Sequence, residues 1–172
     1  MDIMGLSYEA KIQIHVGGVY GNKTAAKSRF IRNFNSIEEN LRRRIIIEND
    51  DRSYSLKDCL DINNETGLPI VFDTFHHECL SNNETIEEAI TASSNTWKSS
   101  VDGYPIIDYS SQSKDGRKGK HAKTIEINHF IKYYKLFKEL SRKQNIGLDI
   151  MLEIKDKEKS ALLAIAAAGS NK

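Results

Sequence analysis

"LPIVFDTF" (residues 68–75) decides how the chain folds. Leu68, Ile70, Val71 and Phe72 run together without polar alternation, as expected of a strand covered on both faces in a parallel sheet. The run stops at Asp73, and His76, His77 and Cys79 follow closely. The whole sequence has only five histidines and two cysteines, so the concentration is notable. Metal binding is one explanation and chance is another, because adjacent histidines are common.

The same pattern recurs on both sides. "KIQIHVGG" (11–18), "RRIIIEND" (43–50), "YPIIDYSS" (104–111) and "LDIMLEIK" (148–155) are further apolar runs of strand length. Helical patterns lie between them. Ala26, Phe30, Phe34, Ile37 and Leu41 share one face over 23–41. Ser55 is a candidate N-cap, with Gly67 as the stop, and Thr85 and Glu88 have capping-box spacing. Ile127, Phe130, Ile131, Tyr134, Phe137 and Leu140 mark a helix over 127–140, and "KEKSALLAIAAA" a closing one. "MDIMG" reads as the tail of another helix, capped by Gly5. The order (α)βαβαβαβαβα predicts right-handed crossovers in an open doubly wound sheet or a barrel. In either, ligands sit at the C-terminal strand ends. Neither a dinucleotide-binding glycine fingerprint nor a P-loop is present.

Each strand end carries a polar candidate. These are His15, Glu48, Asp73 with His76, Asp108 with His121 in the loop beyond it, and Glu153. One such residue alone is most simply a structural or solvated group. Five strand ends delivering carboxylates and imidazoles to one rim suit Mn, Zn or Fe. Asp73 and His76 read as a metal pair, His77 as a neighbour, and Cys79 as a residue outside the site. The loop "SKDGRKGKHAK" (113–123) brings Lys114, Arg117, Lys118, Lys120 and Lys123 to the same rim. It reads either as a solvated flexible loop or as a phosphate-contacting one. Trp97 and Tyr109 read as packing residues.

The bulk properties agree with one domain over 1–172. The 172 residues are 39% hydrophobic with net charge +1, and mean hydropathy is −0.52. That balance excludes a globally basic nucleic-acid binder, though not local patches. The apolar run "ALLAIAAAG" is too short to span a membrane, no signal peptide is visible, and two lone thiols fit a reducing compartment. A cytoplasmic location and no membrane partner are expected.

Taken in order, "IHVGGVYGNK", "IIIENDDRSYSLKDCL", "PIVFDTFHHECL", "W…DGYPIIDYSSQ…KHA" and "MLEIKDKE" resemble successive motifs of the UV damage endonuclease family. The resemblance implies a TIM-barrel-like (xylose-isomerase-like) α/β fold, of which this chain carries the last five of eight βα units. The missing N-terminal part would hold three strands, further histidine ligands and a loop probing the lesion with a glutamine and a tyrosine. The resemblance also implies a cluster of up to about three divalent ions, most often Mn2+. It implies damaged double-stranded DNA as partner, incised 5′ to ultraviolet photoproducts. Carried over residue by residue, the metal ligands are His15, Glu48, Asp73, His76, His121 and Glu153, with Glu48, Glu153 and His121 as the catalytic set. Lys114, Arg117, Lys118 and Lys120 would contact DNA. The family pattern has a carboxylated lysine and a histidine where this chain has Ile106 and Asp108. Ile106 cannot bridge ions. Asp108 is expected to ligate one ion, or else to hydrogen-bond a neighbouring histidine. Two other readings stand beside this one: a related barrel enzyme such as an apurinic endonuclease or sugar isomerase, and a non-catalytic truncated remnant.

Overall fold

Five short strands form one parallel sheet in sequence order, β1-β2-β3-β4-β5. They are β1 (Ile12–His15), β2 (Ile45–Glu48), β3 (Ile70–Asp73), β4 (Ile106–Tyr109) and β5 (Asp149–Leu152). The computed structural model describes residues 1–170. Residues 171 and 172 of the expected domain lie outside the described residues. The principal helices are α1 (Lys23–Asn35), α3 (Leu56–Thr66), α5 (Ile86–Ser94), α7 (Ile127–Gln144) and α8 (Glu158–Ser170). Shorter ones are α2 (Glu39–Arg42), α4 (Thr74–Cys79) and α6 (Ser99–Asp102).

The two faces of the sheet have different jobs. Ile45, Ile47, Ile70, Phe72, Ile107 and Tyr109 face the helices and form the main core with residues of α3, α5 and α7. Ile46, Val71 and Ile106 face the other way and pack with Trp97 into a small apolar floor. Trp97 is fixed there by its indole N–H, which donates to the Ile70 carbonyl at 2.8 Å. The continuous apolar runs are therefore explained: β2 and β3 are buried along their whole length. β1 and β5 differ, because they are the sheet's two edges; Ile12 and Met151 are exposed.

Local chemistry sets the boundaries. Thr85 and Glu88 form the expected capping box, and Gly67 ends α3 with φ 72°. Such caps stabilise a helix end by about 1 kcal/mol. The helix expected over 23–41 is shorter than its apolar stripe. It ends at Asn35, where the Ser36 hydroxyl donates to the Asn33 carbonyl and offers the backbone an alternative to the next turn. Leu41 lies in the separate turn α2. "MDIMG" is a single 3-10 turn, Asp2–Met4, capped by Gly5. Helix α4 was not anticipated; its six residues carry too little periodicity to signal a helix.

Candidate metal centre

Strand register gathers the polar groups. His15 pairs with Glu48, and Asp73 with Asp108, across neighbouring strands. Partners in register share a face, so these four lie on the inner face, one layer above the apolar floor. Asp73 also caps α4: its Oδ1 accepts from the His76 amide at 2.7 Å. That bond turns α4 so that His76 comes back over the strand ends. Asn49 locks the junction by exchanging two hydrogen bonds with the Asp73 backbone, 2.9 and 3.0 Å.

Glu48, Asp73 and His76 converge as a buried triad whose ligand atoms lie within 4.8 Å of one another. His76 Nδ1 is 3.0 Å from Glu48 Oε1 and 3.6 Å from Asp73 Oδ2. Its N–H is directed at the Asn49 carbonyl, 2.9 Å away, so the Glu48 oxygen is close without an aligned hydrogen. His15 Nε2 lies 3.5 Å from Glu48 Oε2. The His121 ring stands 5.6 Å from that of His76, and its Nδ1 is 4.0 Å from Glu153 Oε2. His15 and Glu153 are the more open members; their side chains are 48% and 39% exposed, whereas Glu48 is 4%.

Each buried carboxylate has one oxygen held and one orphaned. Glu48 Oε2 and Asp108 Oδ2 accept from Gln13 Nε2 at 2.7 and 2.6 Å, and Asp73 Oδ1 accepts from the His76 amide. Glu48 Oε1, Asp73 Oδ2 and Asp108 Oδ1 are buried without a hydrogen-bond partner. Buried acceptors are normally satisfied, and three free carboxylate oxygens in one cluster fit a divalent cation. The titration behaviour points the same way. Burial pushes Asp73 up to about 7; the charge and amide of His76 oppose this, while Glu48 and Glu153 add to it. Burial pushes Asp108 up to about 8, against the Gln13 hydrogen bond. Burial lowers His76, but Glu48 and Asp73 outweigh it and hold the imidazole at about 9. In the metal-free chain the His76 imidazolium supplies the positive charge. A divalent ion would displace that proton and engage hard oxygens together with a neutral imidazole, a donor set that suits manganese, iron or zinc.

Of the seven residues singled out as ligands in the sequence, Glu48, Asp73 and His76 close on one point, and His15, Asp108, His121 and Glu153 stand around them. Ile106 belongs to the floor and offers no donor atom. His77 turns away, its ring 5.1 Å from Phe72 and its Nδ1 3.7 Å from Glu84. Cys79 lies outside the triad, and its carbonyl accepts from Lys118 Nζ at 2.8 Å. Trp97 and Tyr109 are buried packing groups. The basic loop is organised rather than loose. Gln112 and His121 form an antiparallel bridge, and the Gln112 side chain binds the Gly119 amide and the Arg117 carbonyl, both at 3.0 Å. Lys114, Arg117, Lys118 and Lys120 are arrayed along it, largely open to solvent. Two site residues escaped the sequence reading, Gln13 and Asn49. Gln13 had a signal: it lies two residues before His15, hence on the same strand face.

A sequence profile of the UV-endonuclease UvdE family matches residues 1–170. The chain belongs to that family. It is 39% identical over 166 residues to the UV DNA damage endonuclease of Clostridium perfringens (strain 13 / Type A), covering 96% of this chain and 39% of the relative. It is 33% identical over 170 residues to the UV DNA damage endonuclease of Bacillus mycoides (strain KBAB4), covering 99% and 52%. Among solved structures, the crystal structure of SacUVDE superposes with a TM-score of 0.85 at 41% identity, over 99% of this chain and 54% of that one. The likeness makes the fold TIM-barrel-like. The chain spans about half the length, or less, of these relatives.

Proposed function

We propose that this chain carries the metal-holding part of a DNA repair endonuclease that incises damaged duplex 5′ to ultraviolet photoproducts and uses Mn2+. The observation that carries the reading is the set of three orphaned carboxylate oxygens around His76. Family membership supplies the substrate class. In this reading His15, Glu48, Asp73, His76, Asp108, His121 and Glu153 hold the ions. Bound ions would polarise the scissile phosphate and acidify a water. The chain's own residues do the rest. Glu48, Asp73 and Asp108 concentrate negative charge over an apolar floor that excludes water. The more open His15, His121 and Glu153 face the side from which a backbone phosphate arrives. Lys114, Arg117, Lys118 and Lys120 hold the phosphates that flank the scissile one. No helix among the described residues is long and apolar enough to cross a membrane, and the cytoplasm is the compartment we propose.

A chimera tests this function. With this chain replacing the matching segment of the Clostridium perfringens relative, ultraviolet-irradiated plasmid should be nicked in the presence of Mn2+, with the break mapping 5′ to the lesion. A folded chimera that binds the irradiated duplex yet leaves it whole would overturn the catalytic reading. The 172-residue chain alone should not nick. Among the described residues β1 and β5 are edge strands and the inner face has no opposite wall, so the cleft that would grip DNA is open. Lesion-dependent nicking by the chain alone would refute that.

The loop cations make a separate prediction. Arg117→Ala and Lys120→Ala should each lower the slope of log affinity against log salt by about 0.9, one phosphate contact per residue. An unchanged slope would remove that residue from the DNA surface.

A further inference from the structure

The tie across the inner face is made by a residue with no assigned role. Gln13 sits on β1, yet its Nε2 donates to Glu48 Oε2 on β2 at 2.7 Å and to Asp108 Oδ2 on β4 at 2.6 Å. β1 and β4 are not neighbours; β2 and β3 lie between them. One amide nitrogen therefore spans the concave face and brings together two carboxylates that repel each other. A side-chain amide has two N–H groups on that nitrogen, one for each carboxylate. The oxygens it binds are the satisfied ones, and those it leaves, Glu48 Oε1 and Asp108 Oδ1, are the orphans.

We infer that Gln13 is a positioning residue for the metal centre: its amide fixes which oxygen of Glu48 and of Asp108 is presented to a cation. The inference rests on the metal reading above. Three features support a dedicated role rather than incidental packing. Gln13 is a half-buried polar residue between Ile12 and Ile14 on a strand whose inner-face partner in register, Ile46, is apolar. The amide is a neutral donor, so it holds carboxylates without competing with an ion for their charge, as a lysine would. Its reach also fixes how far β4 curves toward β1, and with it the distance between Asp108 and the triad. Groups that hold metal ligands from behind typically change affinity by about 10–100-fold when removed.

Manganese titrated calorimetrically into the 172-residue chain tests the inference, with metal-free unfolding temperature measured alongside. Gln13→Leu removes both hydrogen bonds at similar volume, and Gln13→Met does so with a more adaptable side chain should the leucine variant fail to fold. Either should weaken Mn2+ binding by roughly tenfold to a hundredfold. Variants that lose unfolding temperature but bind Mn2+ as the native chain does would show a purely structural role and overturn the inference alone. A native chain that takes up no Mn2+ would overturn the metal reading, and this inference with it.

Discussion

Glu48→Gln is expected to remove Mn2+ binding from the chain, with affinity falling by more than about a hundredfold. Glu48 is the member of the cluster with the most interactions to lose. Its Oε1 lies 3.0 Å from His76, its Oε2 accepts from Gln13 and stands 3.5 Å from His15, and the residue is almost wholly buried. A glutamine keeps the volume but takes away the charge and one acceptor. A further consequence separates this from simple unfolding. His76 is held at about 9 against the downward push of burial, with Glu48 as the leading opposing partner; without that partner its midpoint should fall toward the ordinary histidine range, readable from the ring proton shifts by NMR. Glu153→Gln should weaken binding less, since Glu153 is far more exposed and 4.0 Å from its histidine partner. In the chimera with the Clostridium perfringens relative, Glu48→Gln should lower incision by several orders of magnitude. Native affinity in the Glu48→Gln chain would take Glu48 out of the centre.

The strands and the rim were legible in the sequence because their signals are local and binary. An uninterrupted apolar run such as Ile45–Ile47 ends at a charged residue, and parallel crossovers put every such end at the same side. That was enough to place His15, Glu48, Asp73, Asp108 and Glu153 in one ring. His76 was legible only through its closeness to Asp73 in sequence. The α4 turn that brings it over the strand ends depends on Asp73 acting as an N-cap and on Asn49 bonding the Asp73 backbone, a pairing between strands that spacing does not reveal. The role of Gln13 is hidden from the sequence for a similar reason. Its partners are on β2 and β4, and its bond to Asp108 crosses 95 positions of sequence. That Ile106 cannot ligate is legible in the sequence; its packing with Ile46, Val71 and Trp97 is not. The basic loop could be read as flexible from its composition because the device that orders it, the Gln112 side chain bonded to loop backbone, is a single neutral residue.

Raising the pH from about 5 to about 9 is expected to destabilise the metal-free chain, and Mn2+ is expected to reverse this increasingly along the way. The sign follows from three groups displaced in one direction. Asp73 and Asp108 are raised from 3.8 to about 7 and about 8, first by burial and then by neighbouring carboxylates. His76 is raised from 6.5 to about 9 because Glu48 and Asp73 outweigh its burial. A group whose folded value lies above its unfolded value contributes stability that is complete below the unfolded value and lost as pH rises through the folded one. The carboxyl contributions therefore disappear between about pH 4 and 8, and that of His76 between about pH 6.5 and 9. A tenfold change in proton affinity between the folded and unfolded chain corresponds to about 1.4 kcal/mol. The three groups face one another, so their contributions overlap and the total is on the order of a few kcal/mol rather than the sum. Against a typical domain stability of about 5–15 kcal/mol, that is a large fraction. An ion changes the balance: it favours ionised carboxylates and neutral imidazole, the forms that dominate at high pH. The unfolding temperature without metal should fall steadily above about pH 6, while the increment given by saturating Mn2+ should grow over the same interval. Calorimetric scans at several pH values with and without Mn2+ read both quantities. A metal-free unfolding temperature that rises toward about pH 9, or an Mn2+ increment that shrinks with pH, would contradict the charge assignment of the centre.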